Sequence, residues 1–248
     1  MVRRVALPTP PPLQQLVQAT EAMVGGGRRS ATGSELEWLS RLQHSPFALE
    51  YCLSSLTAHG AALSFAACYF CATTCAFQLR KGGNFGDAEL VAMRDALSQL
   101  LAPAAAFDRR LLTPVAACVV YLMVRMAPTL WEPAQAIESM CGAFGSSHTI
   151  LIELLTLLPE EVGNKRLSVP KQKRAAVNDA LRASSAAVID VLRGLVVGTA
   201  NGGRRSPLQT PVLRCFRSWV EFGAVPLEGA LASGMLAAAV GDVAHPAA

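Results

Sequence analysis

The sequence predicts an all-α protein assembled from paired helices, and three observations carry that reading. Apolar residues recur at spacings of three and four, as in Val177, Leu181, Val188, Val191, Leu192 and Leu195, which is the period of one helix face. Hardly any run alternates β-branched with polar residues, the pattern of a half-buried strand. Helix pairs start near Leu13, Pro46, Asp87, Pro133 and Lys171, a unit of about 33 to 44 residues and so in the range of helical repeats. No string of letters recurs from unit to unit. That suits an array in which each unit need only bury one face on its own partner and another on its neighbour. The expected architecture is a right-handed α-solenoid of HEAT-like helix pairs, with a globular helical bundle as the alternative that periodicity leaves open.

Each element follows from local chemistry. Residues 1–12 end in Pro8, Pro10, Pro11 and Pro12, which fix the backbone and remove donors, so a disordered or extended lead-in is expected before an array covering 13–248. Leu13 to Val24 forms the first helix and stops at Gly25, Gly26 and Gly27, where backbone entropy opposes continuation. The second runs from Ser34 to Gln43, with Glu35 and Glu37 at its positive end. Pro46 opens the third, to about Ala58, and Ala62 to Lys81 makes the fourth, closed by Gly82 and Gly83. Asp87 to Leu101 and Asp108 to Met126 follow, and Pro114 either kinks the latter or marks its true first turn. Pro133 to Phe144 hands over at Gly145 to a helix from Ser146 to Leu158, where Pro159 is expected to end it and Glu160 and Glu161 to begin a turn. Gly163 to Lys173 is a polar, basic loop. Lys171 to Val197, Val212 to Phe222 and Leu227 to Val240 complete the chain.

The helix before Pro159 is the most apolar. Thr149, Glu153, Thr156 and Glu160 form one narrow polar stripe, while Ile150, Leu151, Ile152, Leu154, Leu155, Leu157 and Leu158 cover the rest. A bundle helix needs only about a third of its circumference apolar. This one must be covered on three sides, by a partner and by neighbours before and after it.

The chain is 52% hydrophobic and 16% charged, against about 25% charged for a typical soluble domain, so a small multi-pass membrane protein must be weighed. The uncharged run from Ala61 to Leu79 contains Ser64, Thr73, Thr74 and Gln78, and that from Leu111 to Val124 is short and carries Pro114. Neither is a convincing span. A net charge of +4 is modest, and only Lys165, Arg166, Lys171, Lys173 and Arg174 gather closely. A solvated loop explains them more simply than a nucleic-acid patch, since no base-reading motif accompanies them. Seven cysteines without a secretory signal argue for a reducing compartment, cytosol or nucleus.

Nothing in the sequence assembles a catalytic, metal or cofactor site. Cys68, Cys71 and Cys75 share one helix face, but three sites on one helix do not close a tetrahedron, and core packing of small apolar thiols is the better reading. His148 and Cys141 lack an orienting group and an oxyanion element. The glycines at 25–27 match no phosphate-binding pattern. Glu160 and Glu161 are adjacent and diverge on a helix. The chain is expected not to be an enzyme and to need no cofactor.

Two motifs carry a resemblance. LLTLLPEEVGNKRL, Leu154 to Leu167, closely resembles a segment of the transportin-SR and importin-thirteen group of nuclear transport receptors in the importin-β superfamily, and VLRCFRSWVEFG, Val212 to Gly223, places Arg214, Cys215, Ser218, Trp219 and Gly223 as in that group. Weaker echoes are WLSRLQHSPFALEYC, Trp38 to Cys52, and YFCATT, Tyr69 to Thr74. The resemblance implies a superhelical HEAT receptor that shuttles between cytoplasm and nucleus, binds nuclear pore proteins and exchanges cargo under control of Ran-GTP, without binding nucleic acid or membrane directly. It implies that the N-terminal repeats meet Ran through the second helix of each pair, and Glu37, Arg41, Gln78, Arg80 and Arg125 are candidate contacts as polar residues on those helices. In transportin-SR the cargo is Arg/Ser-rich splicing factors bound by later repeats. Such receptors continue beyond the point matching Ala248, so the chain reads as an N-terminal portion of a longer receptor. Its positive charge departs from their common acidity, and a HEAT scaffold that does not bind Ran is the alternative function.

Overall fold

The structure, a computed structural model, describes residues 7, 9–24, 33–102, 109–198 and 208–235. Among these there are eleven α-helices, one short 3-10 turn and no strand. No helix among the described residues is long and apolar enough to cross a membrane. The chain divides into two compact units, Met1–Leu122 and Met123–Ala248. Gly25 to Gly27, Gly202, Gly203 and Pro207, and everything after Met235 lie outside the described residues, as does most of the lead-in. Leu7 is described, and its amide donates to Ser45 Oγ at 2.8 Å.

The first unit is built from α1 (Leu13–Val24), α2 (Gly33–Gln43), α3 (Ala48–His59), α4 (Phe65–Lys81) and α5 (Asp87–Leu101). α1 packs on α2 and α4, and α3 packs on α4 and α5. α4 begins three residues later than expected, because Ser64 caps it by accepting from the Ala67 amide at 3.4 Å. It ends at Gly82, whose φ of 91° only glycine adopts without strain. α5 starts at Gly86, whose amide donates to the Glu89 carboxylate at 2.8 Å. A 3-10 turn, Arg109–Leu111, leads into α6 (Leu112–Met126). Pro114 therefore sits in a first turn, where its missing donor costs nothing. From Val115 to Met126 every residue of α6 is buried, which accounts for the uncharged run without a membrane.

The second unit contains α7 (Pro133–Phe144), α8 (His148–Gly163), α9 (Lys171–Gly198), α10 (Gln209–Glu221) and α11 (Leu227–Ala232). α7 is capped by Glu132, whose carboxylate accepts from the amides of Ala134 (3.1 Å) and Gln135 (2.7 Å). α8 packs against α7, α9 and α10, the three-sided burial that its composition requires. α10 buries Val212, Cys215, Phe216 and Trp219 along one face, and Arg217 pairs with Glu221 at 2.7 Å on the other. Gly223, with φ of 75°, closes it. Paired helices without strands are the class expected, an all-α array of HEAT-like pairs.

Two expectations for α8 are corrected. The helix does not stop at Leu158 but runs through Pro159 to Gly163. Thr156 does not belong to an exposed stripe; it is 2% exposed, and its hydroxyl donates back to the Ile152 carbonyl at 2.6 Å, which allows it to be buried.

Candidate functional site

The two motifs that carry the resemblance meet in the second unit. A proline inside a helix has no N–H for the carbonyl four residues before it, so Pro159 leaves the Leu155 carbonyl without its usual donor. That carbonyl accepts instead from Trp219 Nε1 at 2.8 Å. Beside it the Thr156 carbonyl accepts from Ser218 Oγ at 2.9 Å. Consecutive residues of α10 thus donate to consecutive carbonyls of α8, and all four residues are buried. A buried carbonyl without a partner costs about 1–3 kcal/mol, so α10 supplies what lets α8 continue past its proline. Cys215 lies in the same seam, where burial pushes its thiol up to about 12.

Beyond the proline, α8 ends beside the basic loop, and part of the cluster is not solvated as expected. Arg174 reaches from the first turn of α9 and donates to the carbonyls of Val162, Asn164 (3.1 Å) and Leu167 (2.8 Å). Its positive group sits where the negative end of the α8 dipole and its free carbonyls need one. Lys173 donates to the Arg125 carbonyl, and Arg125 Nη2 donates to the Ser168 carbonyl at 3.1 Å. The sequence signal for this was available: basic side chains close to a helix C-terminus are a recognised capping device.

The residues put forward as Ran contacts occupy different settings. Glu37 on α2 is exposed, and Arg41 on α2 and Arg80 on α4 are half-buried. Gln78 on α4 uses its side-chain amide to donate to the Gln43 carbonyl at the end of α2. These four lie in the first unit. Arg125, in the second, is 9% exposed and engaged with Ser168, and burial lowers the pKa of its guanidinium.

The thiols behave as core. Cys52, Cys68, Cys71, Cys75, Cys118 and Cys215 are buried and form no disulfide. The Cys71 thiol is held protonated by its hydrogen bond with Cys52 and by burial, and those of Cys75 and Cys118 chiefly by burial. Cys141 is half-buried, its thiol raised by burial and by Glu138.

The α8–α10 seam and the basic loop fall within residues 108–241, which match the family described as Exportin 1-like protein. The chain is also similar to Importin-13 of Bos taurus, 32% identical over 125 residues, covering 47% of this chain and 12% of that protein. The chain therefore spans a small part of the curated relative it matches. With the family match extending over more than half of its length, and with paired helices among the described residues, the chain belongs to the exportin 1-like family of the importin-β superfamily.

Proposed function

We propose that this chain supplies N-terminal HEAT repeats of a nuclear import receptor of the transportin-SR and importin-thirteen type, acting by protein binding and not by catalysis. The observation that carries the reading is the α8–α10 seam. The Leu154–Leu167 segment and the Val212–Gly223 segment, each resembling that group on its own, are joined by two buried hydrogen bonds, from Ser218 and Trp219 to the carbonyls of Thr156 and Leu155. The likeness to Importin-13 supports the same assignment. In this reading the chain shuttles between cytoplasm and nucleus, and its partners are Ran-GTP, nuclear pore proteins and, through later repeats, protein cargo such as Arg/Ser-rich splicing factors. Contacts with Ran come from the second helices of the pairs, with Glu37 and Arg41 on α2 and Gln78 and Arg80 on α4 as candidates; the guanidinium of Arg125 serves the fold.

The test is binding of the purified chain to Ran loaded with GTP or with GDP, followed by calorimetry. Binding selective for the GTP form is expected. Equal affinity for both forms, or none, would leave a HEAT scaffold without Ran binding as the function.

A further inference from the structure

Where α8, the loop after it and the start of α9 meet, the second unit has a pocket of about 610 Å³. Its charged lining is one-signed: Lys165, Lys171 and Arg174 line it, and no carboxylate does. Arg174 donates only to neutral carbonyls, so its charge is oriented but not cancelled. Glu161, close by on α8, uses its carboxylate to accept from Asn164 Nδ2 at 2.9 Å and is not among the lining residues. The first amides of α9 add the positive end of a long helix.

Two further features narrow the occupant. Asn178 lines the pocket, and its side-chain oxygen is buried without a hydrogen-bond partner. Such an acceptor requires an N–H or O–H from whatever enters. Phe222 forms an apolar wall, packed so closely on α8 that a Cβ added at Gly163 would lie 3.4 Å from its ring. The site therefore asks at once for negative charge, a hydrogen-bond donor and an apolar group.

We propose that this pocket is a docking site for an acidic peptide segment, in which Asp or Glu carboxylates flank one apolar side chain. The carboxylates meet Lys165 and Lys171, the apolar side chain lies on Phe222, and a peptide N–H satisfies Asn178. Inorganic phosphate would satisfy the charges but offers no apolar group for Phe222. The proposal does not rest on Ran binding, whose candidate contacts lie on α2 and α4.

The experiment uses the whole chain and a short fluorescein-labelled peptide with Asp and Glu on both sides of a single Phe, read by fluorescence anisotropy. Saturable binding is expected, weakening with added salt because the contacts are ionic and near the surface. The Lys165→Gln, Lys171→Gln double variant should lose about tenfold in affinity, and Lys165→Glu with Lys171→Glu more. Both lysines are exposed, so unchanged helix content and melting temperature are expected for both variants. Replacing the peptide's Phe by Ser, or Asn178→Leu in the protein, should weaken binding several-fold. Equal binding by the charge-reversed variant would overturn the proposal. So would displacement of the peptide by inorganic phosphate or single-stranded RNA at matched charge.

Discussion

Trp219 Nε1 lies 2.8 Å from the carbonyl oxygen of Leu155, the acceptor that Pro159 cannot serve. Replacing Trp219 by Phe keeps most of the apolar contact but leaves that carbonyl buried and unpaired. A loss of about 1–3 kcal/mol in the stability of the second unit is expected, measured by urea unfolding. Trp219→Ala, which also opens a cavity, should cost about 3–5 kcal/mol.

The same relationship predicts a coupling. Pro159→Ala restores an N–H in line with the Leu155 carbonyl, so the damage done by Trp219→Phe should shrink when both changes are present. A double-mutant cycle that gives strict additivity would show that the proline and the indole do not share this acceptor.

Arg174 gathers the carbonyls of Val162, Asn164 and Leu167 at the end of α8. Arg174→Met keeps the length of the side chain and removes the donors, with an expected loss of about 2 kcal/mol. Hydrogen exchange should report it first as faster exchange in the last turn of α8.

Stability should fall in alkali. Burial raises the Cys215 thiol from 9.0 to about 12, so above about pH 9 the unfolded chain releases this proton while the folded protein retains it. The contribution is complete below that pH and is lost as pH climbs towards 12. Cys71, Cys75 and Cys118 act in the same direction. Cys215→Ala should make the decline between about pH 9 and pH 11 shallower, as followed by urea midpoints at each pH.

If Ran binds the first unit, Arg41→Glu together with Arg80→Glu should reduce affinity for the GTP form by about tenfold or more, mainly through a slower association rate. Arg125→Gln should act on stability more than on Ran, since its guanidinium is buried against Ser168. Stopped-flow association alongside thermal melting separates the two effects.

Where structure depends on neighbours in sequence, the chain could be read directly. α1, α5 and α7 have the bounds expected from their stops and starts, Leu13–Val24, Asp87–Leu101 and Pro133–Phe144, because prolines, caps and the end of an apolar face act within a turn. The burial of α8 was legible because its composition leaves almost no face for water. Its passage through Pro159 was not, since the donor that sustains it comes from a residue 64 positions away. Lys173 and Arg174 were misread as solvated for the same reason: their carbonyl partners are set by how the loop folds back, which no local spacing records. The pocket beside them depends on Asn178 and Phe222, and nothing in the sequence around either residue marks it as lining a pocket.

The Trp219–Leu155 bond also imposes an order on synthesis. α8 is made well before the indole that completes it, so a nascent chain ending before Leu208 carries a proline-interrupted helix whose α10-facing side is still uncovered. During that interval a chaperone has reason to engage this unit. Ribosome-arrested chains in which α10 is still inside the exit tunnel should be more protease-sensitive than chains long enough for α10 to have emerged.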